Sequence, residues 1–422
     1  MFKKYVLSSG LRVVLAPQPD NVAATVLVLV EAGSKYETKK INGLSHFLEH
    51  LCFKGTAKRP TAIAIASELE SLGAVYNAFT GHEVTGYYAK VGASKINSAL
   101  DIIADLYQDP VFDEAEFEKE KGVIIEEINL YEDTPTRKVQ ELFTELMYGD
   151  QPAGWPIGGL KEVILSLKKQ DVLNYRSEHY VAKATTVVVA GAFNEKEMLK
   201  RIKTLFAKTP ANKKFSKIRT QESQARPQTL VRFKKSDQTH LVMGFRAFDR
   251  YDKRQYALEV LADILGGGMS SRLFQRIRAE LGAAYYVKAG TDLFTDHGFL
   301  SVSAGVDHRK LKEVIEAALG EFKKISSVLV TSNELEKSKN HLTGQAMLGL
   351  ETSDALASFY GEQEIFQEKI LNLRDVIKKI EAVTAKDVLN VAREIMKDKK
   401  LNLALIGPVK KLPTGLDFSL GR

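Results

Sequence analysis

Apolar residues alternate through Leu11-Arg12-Val13-Val14-Leu15, just after a Ser8-Ser9-Gly10 turn, and predict a strand. A longer β-rich run follows, Ala23-Ala24-Thr25-Val26-Leu27-Val28-Leu29-Val30. The period then lengthens to that of a helix over residues 43–54, bracketed by Asn42-Gly43 and Gly55, and again over 61–72, which ends at Gly73. Strands are predicted at 74–79 and 84–91, and helices at 94–108, 113–132, 136–148 and 169–180. The apolar strand 185–190 and a helix at 195–207 close the first half. The second half repeats this order. Strands at 228–234 and 239–246 precede helices at 252–265 and 271–281, strands at 284–290 and 298–306, and helices at 308–324, 332–350, 353–367 and 371–396. The strand Leu401–Ile406 answers 185–190. The repeat lies in the order of elements and not in the residues.

The polar, Lys/Gln/Ser-rich stretch 208–227, with Pro210 and Pro227 at its ends, reads as a linker. A chain of 422 residues exceeds one ordinary core. The expected fold is therefore α+β, built of two homologous α/β-roll domains, 1–215 and 216–422. Each would be an antiparallel-rich sheet packed on helices that cover one of its faces.

Composition narrows the functional classes. A hydrophobic content of 44% with 27% charged residues describes a soluble globular protein, and no apolar run approaches a membrane span. The start, Met1-Phe2-Lys3-Lys4-Tyr5-Val6-Leu7, has no apolar signal region and runs straight into a strand. Cys52 is the sole cysteine, which excludes an internal disulfide, fits a reducing compartment and makes the cytoplasm the expected location. The net charge of +7 is spread among acidic residues, as in Lys397-Asp398-Lys399-Lys400, and no basic-aromatic module accompanies it. Neither nucleic acid nor a membrane is an expected partner.

The chemistry concentrates in His46-Phe47-Leu48-Glu49-His50. Two imidazoles four residues apart lie on one helical face, close enough to bind one metal ion, with a carboxylate between them. This is the zinc-protease H-E-x-x-H arrangement written in reverse. A catalytic zinc site normally has three protein ligands and one open position. The third ligand is sought in Glu116–Glu127, where Glu120 and Glu127 stand two helical turns apart and share a face. Val123, Ile124 and Ile125 would anchor that helix in a core, and the spacing leaves both Glu126 and Glu127 open as ligands. Cys52, two residues past His50, reads as a small buried hydrophobe.

His46-Phe47-Leu48-Glu49-His50-Leu51-Cys52-Phe53-Lys54-Gly55-Thr56 resembles the active-site helix of the pitrilysin/insulinase family of zinc peptidases. Asn77-Ala78-Phe79-Thr80 is similar to that family's substrate-edge strand, and Glu83–Tyr88 to its hairpin partner. Gly266-Gly267-Gly268-Met269-Ser270-Ser271-Arg272-Leu273-Phe274 resembles its C-terminal glycine segment. Arg278 and Tyr285 match its Arg/Tyr pair in spacing. The resemblance implies Zn2+, one per subunit, held by His46, His50 and Glu127, with Glu120 in support and Glu49 as general base. It implies substrate binding by Asn77, Ala78, Phe79, Thr80, Arg278 and Tyr285, the last two also polarising the substrate. It further implies a homodimer of the short type, enclosing a chamber and hydrolysing extended or unfolded peptides. The alternative within the family is a non-catalytic assembly subunit, which generally lacks residues that this chain retains.

Overall fold

The computed structural model describes residues 2–366 and 369–421. The final residue of the helix expected at 353–367 lies outside them.

The strands form two sheets. The first contains β1 (Lys3–Val6), β2 (Arg12–Pro17), β3 (Ala23–Val30), β4 (Val75–Thr80), β5 (Thr85–Gly92) and β6 (Thr185–Gly191), in the spatial order β1-β2-β6-β3-β5-β4. The second contains β7 (Gln228–Phe233), β8 (Thr239–Ala247), β9 (Ala284–Leu293), β10 (Gly298–Val306) and β11 (Leu401–Gly407), in the order β7-β11-β8-β10-β9. Apart from β1, the two orders are the same. In each sheet one pairing is parallel, β2 with β6 and β7 with β11, and the others are antiparallel. The architecture is α+β.

The chain divides into two compact units, each holding one sheet. The first unit comprises Met1–Ile128, Pro156–Ile218 and Met347–Asn372, and the second Asn129–Trp155, Arg219–Ala346 and Leu373–Arg422. Each unit thus includes a helix from the far half of the sequence. Those two helices overturn the expectation that each sheet is covered on one face only. In the first unit Val13, Leu15, Val26, Val28, Val187 and Val189 pack into the main core. The alternate residues Val14, Leu27, Leu29 and Val188 pack on Leu356, Ala357 and Tyr360 of the helix Ser353–Phe366. A Cβ at Gly361 would meet Leu29 Cδ1 at 2.7 Å, so a glycine here lets that helix lie close against the sheet. In the second unit Leu241, Met243, Leu403 and Leu405 face one core. Val242, Ala404 and Ile406 face Val139, Leu142 and Phe143 of the helix Pro135–Tyr148. Every residue of β6 and β11 is buried, which accounts for their predominantly apolar sequences.

The helix expected over 371–396 is two helices, Leu373–Glu381 and Ala385–Ile395. Thr384 starts the second with a reciprocal cap, its hydroxyl accepting from the Asp387 N–H while Asp387 accepts from the Thr384 N–H. The segment 271–281 contains a π-helix, Phe274–Glu280. Among the described residues no helix is long and apolar enough to cross a membrane.

Candidate metal centre

The helix Leu44–Cys52 carries both histidines. Leu44, Phe47, Leu48 and Leu51 bury one side of it completely, which fixes the direction of the other. Its start is held by an unusual cap. Gly43 adopts a left-handed φ of 97°, and a Cβ there would lie 2.8 Å from the Gly158 carbonyl oxygen. Buried Glu37 then accepts from the N–H groups of Gly43 and Ser45, at 2.8 and 2.7 Å, and from Asn42 Nδ2 at 3.0 Å. Burial pushes the Glu37 carboxyl up from its ordinary value, against the pull of these donors. Two of the helix's four orphan N–H groups are satisfied this way.

His46 and His50 stack edge to face, their ring centroids 4.6 Å apart. Glu127 reaches them from the helix Glu114–Asp133, its Oε2 lying 3.7 Å from His46 Nε2 and 3.6 Å from His50 Nε2. Ligands of a tetrahedral zinc ion at ordinary bond lengths stand roughly 3.3 Å apart, so the two Glu127–histidine separations exceed that by only a few tenths of an ångström. Among the described residues, His46, His50 and Glu127 are the one group of three metal-ligating side chains whose donor atoms come within 4.8 Å of one another. Burial, with the neighbouring His50, pushes the His46 pKa down to about 4. At neutral pH that ring keeps a lone pair for a cation. The donor set therefore fits zinc. Glu126, which the spacing left open, is exposed on this helix, as is Val123, while Ile124 is buried and Ile125 half-buried. Val123 is not a core anchor: one face of the helix turns inward, and position 123 lies off that face.

Glu120, two turns earlier, is almost fully buried and bonds His50 Nδ1 at 2.9 Å. Its second oxygen lies 2.5 Å from Lys54 Nζ. Burial raises the Glu120 pKa, but the contacts with His50 and Lys54 outweigh it and hold the carboxyl below its usual range. Glu49 is buried beside the histidines and accepts a hydrogen bond from the Thr80 hydroxyl. Burial raises its pKa, with the Thr80 bond and His50 opposing. Thr80 ends β4, the edge strand of the first sheet, in which Val75, Asn77 and Phe79 point outward and Tyr76, Ala78 and Thr80 inward. Cys52 is buried against Tyr87, and burial pushes its thiol up to about 11.

Arg278 and Tyr285 lie in the second unit and touch each other. The guanidinium of Arg278, carried by the π-helix, sits 5.6 Å from the ring centre of Tyr285 at the start of β9, and 4.9 Å from that of Phe274. Tyr285 is 74% exposed. Sequence reasoning assigned no role to Glu37 or Lys54. Lys54 had a legible signal, standing one helical turn after His50 as His50 stands after His46. Glu37 had none, because it precedes the helix it caps by a full loop.

A helix-borne His/His/Glu set, with a buried carboxylate between the histidines, marks a zinc peptidase-like protein. The comparisons agree. Residues 12–159 match the insulinase profile of peptidase family M16, and residues 166–342 match that family's "inactive domain". An uncharacterized zinc protease of Bacillus subtilis, YmxG, is 35% identical over 98% of this chain and 100% of its own length. One from Streptomyces coelicolor is 33% identical over 97% and 90%. The crystal structure of a Helicobacter pylori protease has the same fold, with a TM-score of 0.89, 24% identity, and coverage of 97% of this chain and 99% of that one. The chain belongs to the M16, or insulinase, family of peptidases.

Proposed function

We propose that this chain is a zinc-dependent endopeptidase acting on extended or unfolded peptides. The observation that carries the reading is the placement of Glu49: buried, beside the converging donors of His46, His50 and Glu127, and bonded to the last residue of an edge strand. A zinc ion bound by those three residues would act as a Lewis acid on the scissile carbonyl and acidify the attacking water. Glu49 takes a proton from that water at its carboxylate and returns it to the leaving amine. Burial raises the Glu49 pKa, which makes the carboxylate a stronger base for the first transfer. Glu120 orients His50 through Nδ1.

The free edge of β4 offers backbone groups to an extended peptide, so that Asn77, Ala78, Phe79 and Thr80 would bind main chain more than side chains. Tyr285 and Arg278 supply donors to substrate carbonyls or the developing oxyanion. In this reading the working form is a homodimer with one zinc per subunit. Arg278 and Tyr285 of the partner subunit would then serve the metal site within an enclosed chamber, and a fully active monomer in solution would reject that arrangement.

Glu49→Gln should retain stoichiometric zinc and lower cleavage of a peptide mixture, followed by mass spectrometry, about 10²–10⁴-fold. Chelation should abolish cleavage by the native chain, and zinc should restore it. Undiminished turnover in the variant would reject Glu49 as the base. No turnover in the native, zinc-loaded chain would favour an assembly subunit.

A further inference from the structure

We propose that Lys54 is a positioning residue of the metal centre: it fixes the Glu120 carboxylate, which in turn fixes the His50 ring. The proposal rests on the assignment of His50 as a metal ligand. The chain of contacts is direct. Lys54 Nζ lies 2.5 Å from Glu120 Oε2, and Glu120 Oε1 lies 2.9 Å from His50 Nδ1. One carboxylate oxygen hydrogen-bonds the ring and the other makes an ion pair with the ammonium, so the carboxylate is held from both sides. A carboxylate bonded to Nδ1 selects the tautomer that leaves Nε2 bare, and Nε2 is the atom turned to Glu127.

Lys54 is itself built into place. The helix ends at Cys52, and the Lys54 N–H still bonds the Leu51 carbonyl at 3.1 Å, which continues the helical path for one more residue. Gly55 then turns the chain at a φ of 154°, where a Cβ would lie 2.7 Å from the Pro60 carbonyl oxygen. Beyond it Thr56 is pinned, its hydroxyl bonding Asp105 at 2.5 Å and its N–H bonding the Arg59 carbonyl at 2.7 Å. Arg59, almost wholly buried, joins Asp105, Asp101 and Glu68 in one ionic network. A lysine between a metal-bearing helix and so rigid a turn has little freedom to leave Glu120. Its positive charge also answers a site crowded with carboxylates, in which Glu49, Glu120 and Glu127 all approach the two imidazoles. Without Lys54, an almost fully buried carboxylate would keep only the ring it is meant to orient.

The test measures metal binding and does not depend on cleavage. In the full chain, zinc affinity is determined by chelator competition, and the geometry of the site by the visible spectrum of the cobalt-substituted protein. Lys54→Met should weaken zinc about 10- to 100-fold and shift the cobalt bands. Lys54→Arg should restore most of both. The double variant Lys54→Met/Glu120→Gln should bind no more weakly than Glu120→Gln alone, because the lysine acts through that carboxylate. Native affinity and an unchanged cobalt spectrum in Lys54→Met would overturn the proposal. So would a full, additive loss in the double variant. Should Lys54→Met not fold, Lys54→Gln enters the same cycle and is judged by the same outcomes. If His50→Ala leaves zinc affinity unchanged, the metal assignment fails, and with it the role of Lys54.

Discussion

The two units use one scaffold differently. In both sheets the strands follow the same order, and in both units a helix after the third strand of that scheme meets a long helix later in the chain. In the first unit these are Leu44–Cys52 and Glu114–Asp133, and in the second Gln255–Gly266 and Ser332–Gly349. The first pair joins two imidazoles to a carboxylate. In the second pair Asp263 of the earlier helix meets His341 of the later one at 2.7 Å, with Gln345 behind that ring at 2.8 Å. The residue types have exchanged helices, and in place of three converging donors stands a single aspartate–histidine hydrogen bond. Gln255–Gly266 also buries an almost entirely aliphatic face, whereas Leu44–Cys52 buries Glu49 along with its leucines. The match of 166–342 to the family's inactive domain accords with this difference. The shared fold does not by itself build the cluster; three side chains do.

The sharpest way to break the contrast is to remove one histidine from each pair. His50→Ala should lose zinc, measured by elemental mass spectrometry, and lose peptide cleavage by orders of magnitude with it. His341→Ala should keep one zinc per chain, at the cost of about 1–3 kcal/mol from the broken Asp263 contact. Loss of zinc from His341→Ala would mean that the second unit takes part in holding the metal.

A second, smaller effect separates the units by pH in the metal-free chain. His46 is held at about 4 by burial and by His50, below its ordinary 6.5. Between pH 6.5 and 4 the unfolded chain gains a proton there that the folded chain does not, so this group removes stability as pH falls through that window, by about 3 kcal/mol in total. Glu259, on the helix Gln255–Gly266, shows the opposite sign. Burial raises its pKa from 4.5 to about 7. The folded chain then keeps a proton that the unfolded one releases, so stability falls as pH rises from 4.5 to 7 and is level above it. Glu259→Gln should therefore gain about 1–3 kcal/mol at pH 8 and little at pH 4, read from urea midpoints of the chelated protein. An equal gain at both pH values would show that the effect is not ionisation.

Much of this was legible in local pattern. The four-residue spacing of His46 and His50 already puts both rings on one face, and the seven residues from Glu120 to Glu127 do the same for the carboxylates. The limit of such reasoning is angular. Adjacent residues differ by about 100° around a helix, so Glu126 and Glu127 straddle the direction that matters, and only the packing of Ile124 decides between them. The covering of both sheet faces was recorded in the apolar runs Val26–Val30 of β3 and Val187–Ala190 of β6, but the helix that covers them lies far along the chain from both, at 353–366. No local period carries that information. Glu37 is hidden for a similar reason, since it caps a helix across an intervening turn.

The smallest predicted effect probes that angular limit on the Glu114–Asp133 helix. Val123 is 45% exposed, while Ile124, one residue on, is fully buried against the first unit's core. An apolar triplet in sequence thus splits into one residue that packs, one that is half-buried and one that faces water. Val123→Lys should change stability by no more than about 0.5 kcal/mol, as a surface substitution that even suits the helix. Ile124→Val, which deletes a single methylene, should cost about 0.5–1.5 kcal/mol. Because Ile124 lies between Glu120 and Glu127, its truncation should also loosen zinc slightly, whereas Val123→Lys should leave zinc affinity as it was. If the exposed lysine destabilised the chain more than the buried methylene deletion, the core-facing side of the helix would not be the one that carries Ile124. The placement of Glu127 toward the histidines would then be wrong with it, since both follow from one rotation of the same helix.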